Sequence, residues 1–545
     1  MLPAETLLLM GKYTFLYDWS PRVEGLTRWL VETPSVVGTE GEVTIARNLY
    51  DMLSSWPYFQ QHPDYLRLCR THDDTRERYN VIALVRGQRA PAAGARTVLL
   101  MGHFDTVDIQ DYGPLMHLAC RPEPLAAATG APAGYMVGRG SLDMKSGDAA
   151  HLAVLERFAA GEGPQELSLL LALSPDEEDS SHGILSVVAD LPELSREWGL
   201  DLIAAINTDY TAPRYPGDPA RYIYAGTIGK LLPSLFVAGL ETHAGQPFGG
   251  FDPNWLVAEV TRRVDYNPDL CESELGEVTP PPVSLKLTDL KEAYTVQTPL
   301  YSWAYFNWFT FRRSPAEVLE LFKGLVADAF AHLHTEFSDR AARHAALGGT
   351  RSPVTDWLPQ VYTYAELVEK ATERVGADYP ALLAERLSQQ PGIDLRSLSC
   401  RMTEELWQAS GLRGPAAVVG YAQIYSAPMA LDPDTPLMRA VRRATDGVAA
   451  ETGEEIQVRA FFPYISDMSF LGFPDGPEGL AALRENSPGW GTLYRVDHEA
   501  HARLSLPVVN IGPYGEGAHT RHERVEKGYS FAVVPELIWR TLEAL

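Results

Sequence analysis

The chain has 545 residues, 45% of them hydrophobic and 21% charged, a composition that excludes disorder, collagen-like repeats and small disulfide scaffolds. Lys and Arg total 46 against 71 Asp and Glu, a net charge of −25, so there is no basic excess to meet a nucleic-acid backbone or an anionic membrane surface. At about 150 residues per domain the length allows three or four domains, or one large α/β domain with an insertion.

The N-terminal apolar stretch Leu7 to Met10 has no basic segment before it, which makes a poor secretory signal. Residues 19 to 55 read as two helices around a loop that turns at Pro34 and Ser35. RYNVIALVRG (78 to 87) and RTVLLMGHFDTV (96 to 107) read as strands, and KSGDAAHLAVLERFAAGEG (145 to 163) as a helix. LSLLLALSPDEE (167 to 178) and DLIAAINTDY (201 to 210) are strands with a helical segment between them. Fully apolar strands alternating with helices predict an α/β fold with a mainly parallel mixed sheet covered on both faces. From about 221 the order becomes strand, helix, strand, strand, helix, which suits an inserted α+β domain with an antiparallel sheet. Residues 345 to 410 are mostly helical and polar, and the α/β texture returns from 411 with PAAVVGYAQIYSAP. The expected division is therefore 1 to 220 with 411 to 545 as one domain, and 221 to 410 as the insertion. No segment approaches the ~20 apolar residues of a membrane span. The four cysteines are scattered without CxxC spacing, so the expected location is the cytoplasm.

Five acidic or imidazole clusters fall at strand ends, where open α/β sheets bind ligands. In MGHFDTVD, Asp105 stands two residues after His103 and can orient the imidazole. In VGRGSLDMKSGDAA, Asp143 precedes a helix and is either a ligand or a helix cap. In SPDEEDSSHG, four acids in a row repel one another unless solvated or neutralised by a cation. Within them, one of the adjacent Glu177 and Glu178 can bind metal while the other serves as a general base. Asp209 follows another strand, and His519 sits in a Gly-rich loop with His522 as an alternative. Two imidazoles and at least three carboxylates near one sheet edge suit one or two divalent ions of the Zn, Co or Mn type.

The order and wording of these motifs resemble the M20 metallopeptidase family, which includes dipeptidases, aminoacylases, carboxypeptidases and a desuccinylase. GHFDTV, GRGSLDMKSG, SPDEE, NTD, THAGQPFGG and GAHTRHERV occur in that family's order and span nearly the whole chain. The tail and the long insertion resemble its arginine-utilisation (RocB-like) branch. The resemblance implies two metal sites, one of His103, Asp209 and a bridging Asp143, the other of Asp143, Glu178 and His519. It implies that Asp105 orients His103, that Glu177 is the general base and acid, and that His243 stabilises the oxyanion, often from a partner subunit of a homodimer. Arg312 in TFRRSP resembles the start of the family's lid motif, with Arg313 as a competing register. Departures are DMKSG where relatives carry two glycines, PYISDMSF without the arginine many relatives carry after its aspartate, and the segment 345 to 410. The implied activity is cleavage of an amide bond in a small peptide or N-acyl amino acid, and an aspartate at position 209 leans toward peptidases. Two other functions fit the same residues: a non-catalytic binding protein on this fold, or hydrolysis of a carbamoyl or cyclic amide bond.

Overall fold

The computed structural model describes residues 13, 15, 17–349, 357–390, 394–422, 425–464, 466–492 and 496–545. The apolar stretch Leu7 to Met10 lies outside them. The chain forms two compact units: Met1–Thr227, Met429–Phe473 and Glu499–Leu545 make the first, and Ile228–Pro428 with Pro474–His498 the second.

The first unit is built on eight strands: β1 (Leu66–Arg70), β2 (Tyr79–Arg86), β3 (Ala95–His103), β4 (Ser168–Ser174), β5 (Leu200–Asn207), β6 (Arg221–Tyr224), β7 (Ile456–Arg459) and β8 (Val508–Asn510). They lie in the order β1-β2-β4-β3-β5-β8-β6-β7. The centre is parallel, with β3 paired to β4 and β5, and β5 to β8. The β1–β2, β2–β4 and β8–β6 pairs are antiparallel. This is the mainly parallel mixed sheet expected, and its central strands are buried along nearly their whole length.

Side chains alternate between two apolar layers because successive residues of a strand point to opposite faces. Val81, Ala83, Val98, Leu100, Leu169 and Leu171 pack with the helices Ser20–Val31, Lys145–Ala159 and Val534–Ala544. Ile82, Leu84, Leu99, Met101, Leu170 and Ala172 pack with His182–Trp198 on the other face. A small sheet of Tyr135–Val137, Gly515–Glu516 and Arg524–Glu526 ties two loops of this unit together.

The second unit is an antiparallel sheet, ordered Val283–Asp289, Tyr301–Thr310, Pro233–Ala238, Ala416–Tyr421, with Val361–Thr363 parallel at the far edge. The helices Tyr364–Val375, Tyr379–Ser388 and Leu395–Ser410 pack apolar residues against Phe236, Trp303 and Val418. These three helices, within the polar segment read from the sequence, thus supply amphipathic cover for this sheet.

The boundaries differ from those expected. Ala416–Tyr421 pairs with Pro233–Ala238, so the return to the first unit comes at 429, not 411. Arg221–Tyr224 stays in the first sheet beside β7, and residues 474–498 rejoin the second unit. An apolar strand carries no local mark of which sheet it joins. Among the described residues no helix is long and apolar enough to cross a membrane. All four cysteines are unpaired.

Candidate metal centre

β3, β4, β5 and β8 run in one direction, so their C-terminal ends share one edge of the first unit's sheet. His103 is the last residue of β3, and its ring Nδ1 is 3.5 Å from Asp105 Oδ1. Asp105 is fully buried, and its two carboxylate oxygens accept the backbone N–H groups of Glu177 (3.2 Å) and Glu178 (3.1 Å). One carboxylate therefore orients the imidazole of one strand and the loop that follows the next. Asp209 follows β5; its Oδ1 accepts the N–H of Tyr210 at 2.8 Å, and its carbonyl accepts Asn510 Nδ2 at 2.8 Å. Gly512 lies against that same carbonyl, and a Cβ there would stand 1.7 Å from the oxygen.

Asp143 lies between the two imidazoles. Its Oδ1 is 3.3 Å from His103 Nε2 and its Oδ2 is 3.0 Å from His519 Nε2. His519 Nε2 is also 3.1 Å from Glu178 Oε1. Two ligand groups result, His103–Asp143–Asp209 and Asp143–Glu178–His519, each with its donor atoms within 4.8 Å of one another. Glu177 is outside both, with Oε2 3.9 Å from His103 Nε2 and 13% of its side chain exposed.

The alternatives left by the sequence separate on this geometry. Asp143 makes no helix cap: the helix Lys145–Ala159 starts after Met144 without a side-chain cap. Of the four acids in SPDEED, only Asp179 is exposed. His522 is exposed and outside the ligand groups, whereas His519 is in one. His243 belongs to the second unit, on an exposed turn where its Nδ1 accepts the N–H of Gly245 at 3.0 Å. Arg313 is held by the Leu270 carbonyl at 2.6 Å, while the Arg312 side chain is more than half exposed, 3.8 Å from Glu274.

Three further groups support the site without having been assigned a role from the sequence. Glu523 is buried and accepts the N–H groups of Leu142 (3.1 Å) and Asp143 (3.2 Å), and it pairs with Arg139 at 2.8 Å. Arg78 is buried against Asp74 (2.7 Å), Asp176 (2.5 Å) and Glu42 (3.2 Å). Asp467 is 4% exposed, with no hydrogen bond to its Oδ1. Glu523 stands in the quoted GAHTRHERV motif, four residues after His519, which was the available signal. Asp467 is the aspartate of the quoted PYISDMSF, and Arg78 carried no signal because two of its three acids, Glu42 and Asp176, are distant in sequence.

The charges test whether these residues suit a cation. Burial, then the Asp143 charge, pushes Asp209 up to about 7, and burial with Asp143 also raises Glu178. Burial raises Glu177 well above the ordinary carboxylate range, with Asp467 and Glu178 adding to it. Hydrogen bonds to Asp143 and Glu178 push His519 up to about 11. Carboxylates that resist ionisation beside imidazoles that hold protons mark a site in need of compact positive charge. The nitrogen and oxygen donors fit divalent transition ions.

Metal loading must then displace protons. Below about 7 the Asp209 carboxyl holds a proton that an ion expels, and above it that proton is already lost. Release is expected to be greater at about pH 5.5 than at about pH 8.5, and affinity to climb as pH rises between them. Calorimetric loading in buffers of different ionisation enthalpy checks this; equal release at both values would contradict it.

A di-ligand metal edge on a parallel sheet, with a free carboxylate beside it, defines a class of metal-dependent hydrolases. The profile of Peptidase family M20/M25/M40 matches residues 99–489. Protein RocB of Bacillus subtilis (strain 168) is 34% identical over 548 residues, covering 97% of this chain and 96% of the relative. The uncharacterized protein YqjN of the same organism is 34% identical over 547 residues, 97% of each chain. The structure of aminopeptidase PepT from Bacillus cereus superposes with a TM-score of 0.51 at 13% identity, over 98% of this chain and 99% of that one, which shows a shared fold. The chain belongs to peptidase family M20 and is a metal-dependent peptide hydrolase. A purely binding role is thereby set aside.

Proposed function

We propose that the chain is a di-metal hydrolase that cleaves the amide bond of a small peptide or N-acyl amino acid. The observation that carries this is the pair of ligand groups sharing Asp143, with Glu177 beside them and outside both. His103, Asp143 and Asp209 would hold one ion, and Asp143, Glu178 and His519 the other, most readily zinc, with cobalt or manganese suited to the same donors. Bound there, two divalent ions supply electrophilic charge and make water easier to deprotonate.

The chain's own groups do the rest. Glu177 accepts the proton of the attacking water at its carboxylate and passes it to the leaving nitrogen. A base kept above its ordinary range by burial holds that proton long enough to deliver it. Asp105 keeps His103 and the Glu177–Glu178 backbone in register through the contacts above. Glu523 holds the backbone of Asp143. His243 is assigned to the developing oxyanion. The first unit is read as the catalytic domain, and the second as a lid and homodimerisation domain in a cytoplasmic enzyme.

The test is a hydrolysis screen of dipeptides and N-acyl amino acids, arginine derivatives included, with added Zn, Co or Mn. Turnover is expected with at least one member, to vanish after chelation and to return on readdition of metal. A chain that binds about two ions yet hydrolyses no member would overturn the amide reading, and turnover of a carbamoyl or cyclic amide substrate alone would replace it.

A further inference from the structure

We propose that Asp467 is a specificity-determining residue that binds a positively charged group of the substrate, an ammonium or a guanidinium. This rests on the hydrolase reading above and adds a substrate class to it.

Asp467 opens a buried turn, Asp467–Phe470, of the first unit. Ser466 tethers that turn to the site: its Oγ accepts Asn207 Nδ2 at 3.0 Å, two residues before the ligand Asp209. The carboxylate is 4% exposed and its Oδ1 makes no hydrogen bond among the described residues. Burial raises the Asp467 carboxyl well above the ordinary carboxylate range, and His103, Asp105 and Asp209 are among the charges that act on it. Ionising a buried carboxyl without a partner costs several kcal/mol, and a cation brought beside it by a ligand offsets that cost.

Charge balance points to the sign of that ligand. Seven carboxylates gather here: Asp105, Asp143, Asp148, Glu177, Glu178, Asp209 and Asp467. Two dications with neutral imidazoles offset four of the seven charges, and the Lys145 ammonium offsets a fifth. The neighbouring buried cations are already engaged. Lys145 Nζ is turned to the carbonyls of Leu30 (3.0 Å) and Thr33 (2.9 Å). Arg78 is taken by its own three acids. A substrate cation supplies the missing charge.

An aromatic wall fits the same ligand. Tyr210, next to the ligand Asp209, stacks on Tyr464 with centroids 5.9 Å apart and planes at 18°, and Phe462 meets Tyr464 edge-on at 5.4 Å. Tyr464 is 46% exposed, so part of this aromatic cluster is open to solvent. Ring faces attract ammonium and guanidinium groups.

Asp467→Asn tests this, since asparagine copies the shape of a protonated aspartate and removes only the charge. Metal-loaded parent and variant are compared on a dipeptide, its N-acetylated form and N-acetylarginine peptides, with metal content measured in both. The expected result is a loss of roughly 10–100-fold in the KM preference for cation-bearing over neutral substrates, with metal content preserved. The dipeptide arm reports an ammonium and the arginine arm a guanidinium. Unchanged preference in both arms, or an equal change in all substrates, overturns the proposal. Binding is also measured without turnover, by calorimetry of alaninamide and agmatine on the metal-loaded proteins. Binding by the parent alone supports the proposal, and binding of neither probe by the parent overturns it. A chain that binds a probe but hydrolyses nothing refutes the hydrolase reading and leaves this one standing.

Discussion

Glu177→Gln is expected to lower hydrolysis by about 10²–10⁴-fold while leaving the metal content at the parent level. The substitution keeps the length of the side chain and the backbone N–H that donates to Asp105. It replaces the carboxylate by an amide, which is not basic enough to take the proton. Because Glu177 lies outside both ligand groups, neither site loses a donor. The measurement pairs steady-state rates with metal analysis on the same preparation. A variant that turns over as fast as the parent would remove Glu177 from the mechanism. One that loses its metals would place it among the ligands.

Arg78→Met carries the largest expected effect on stability, about 3–5 kcal/mol of unfolding free energy. The guanidinium is buried and holds Asp74, Asp176 and Glu42 at hydrogen-bond distance. Methionine fills much of the volume and leaves these acids uncompensated in a medium that solvates charge poorly. The consequence reaches the site through Asp176. That residue adopts a left-handed backbone (φ 71), unusual for a side chain other than glycine. Its Oδ2 also accepts the N–H of His182 at 3.1 Å. Thus Arg78 and His182 hold the turn from which Glu177 and Glu178 reach the metal edge. Denaturant unfolding of the metal-free chain checks the prediction, and Arg78→Met with Asp176→Asn should recover part of the loss. A single variant within about 1 kcal/mol of the parent would show that the acids find other partners.

Much of the first unit was legible along the chain. The strands around Leu99, Leu170 and Ala205 are apolar runs bounded by turn residues, and that pattern is local. Their parallel pairing followed from the helices between them. The ligand candidates were legible for the same reason, since polar residues immediately after apolar strands stand at one edge of a parallel sheet. The structure then brought His103, Asp143, Asp209, Glu178 and His519 within donor reach of one another.

What stayed hidden depended on partners far away in the chain. Ala416–Tyr421 is as apolar as any central strand, yet it pairs with Pro233–Ala238 in the other unit. SPDEED looked like a single acidic patch, but its residues have three separate surroundings: Arg78 for Asp176, the metal edge for Glu177 and Glu178, and solvent for Asp179.

The surplus of 25 negative charges shows the same division. By itself the sequence determined the sign of the charge, the alternation of strands and helices, and the residue types able to bind a metal. These are properties of composition and short-range periodicity. Only the tertiary structure decided which acids are buried together, which are neutralised by Arg78, and which, like Asp467, are left without a partner. Burial and approach between residues hundreds of positions apart set those outcomes, and in a low-dielectric interior they determine what a carboxylate can do.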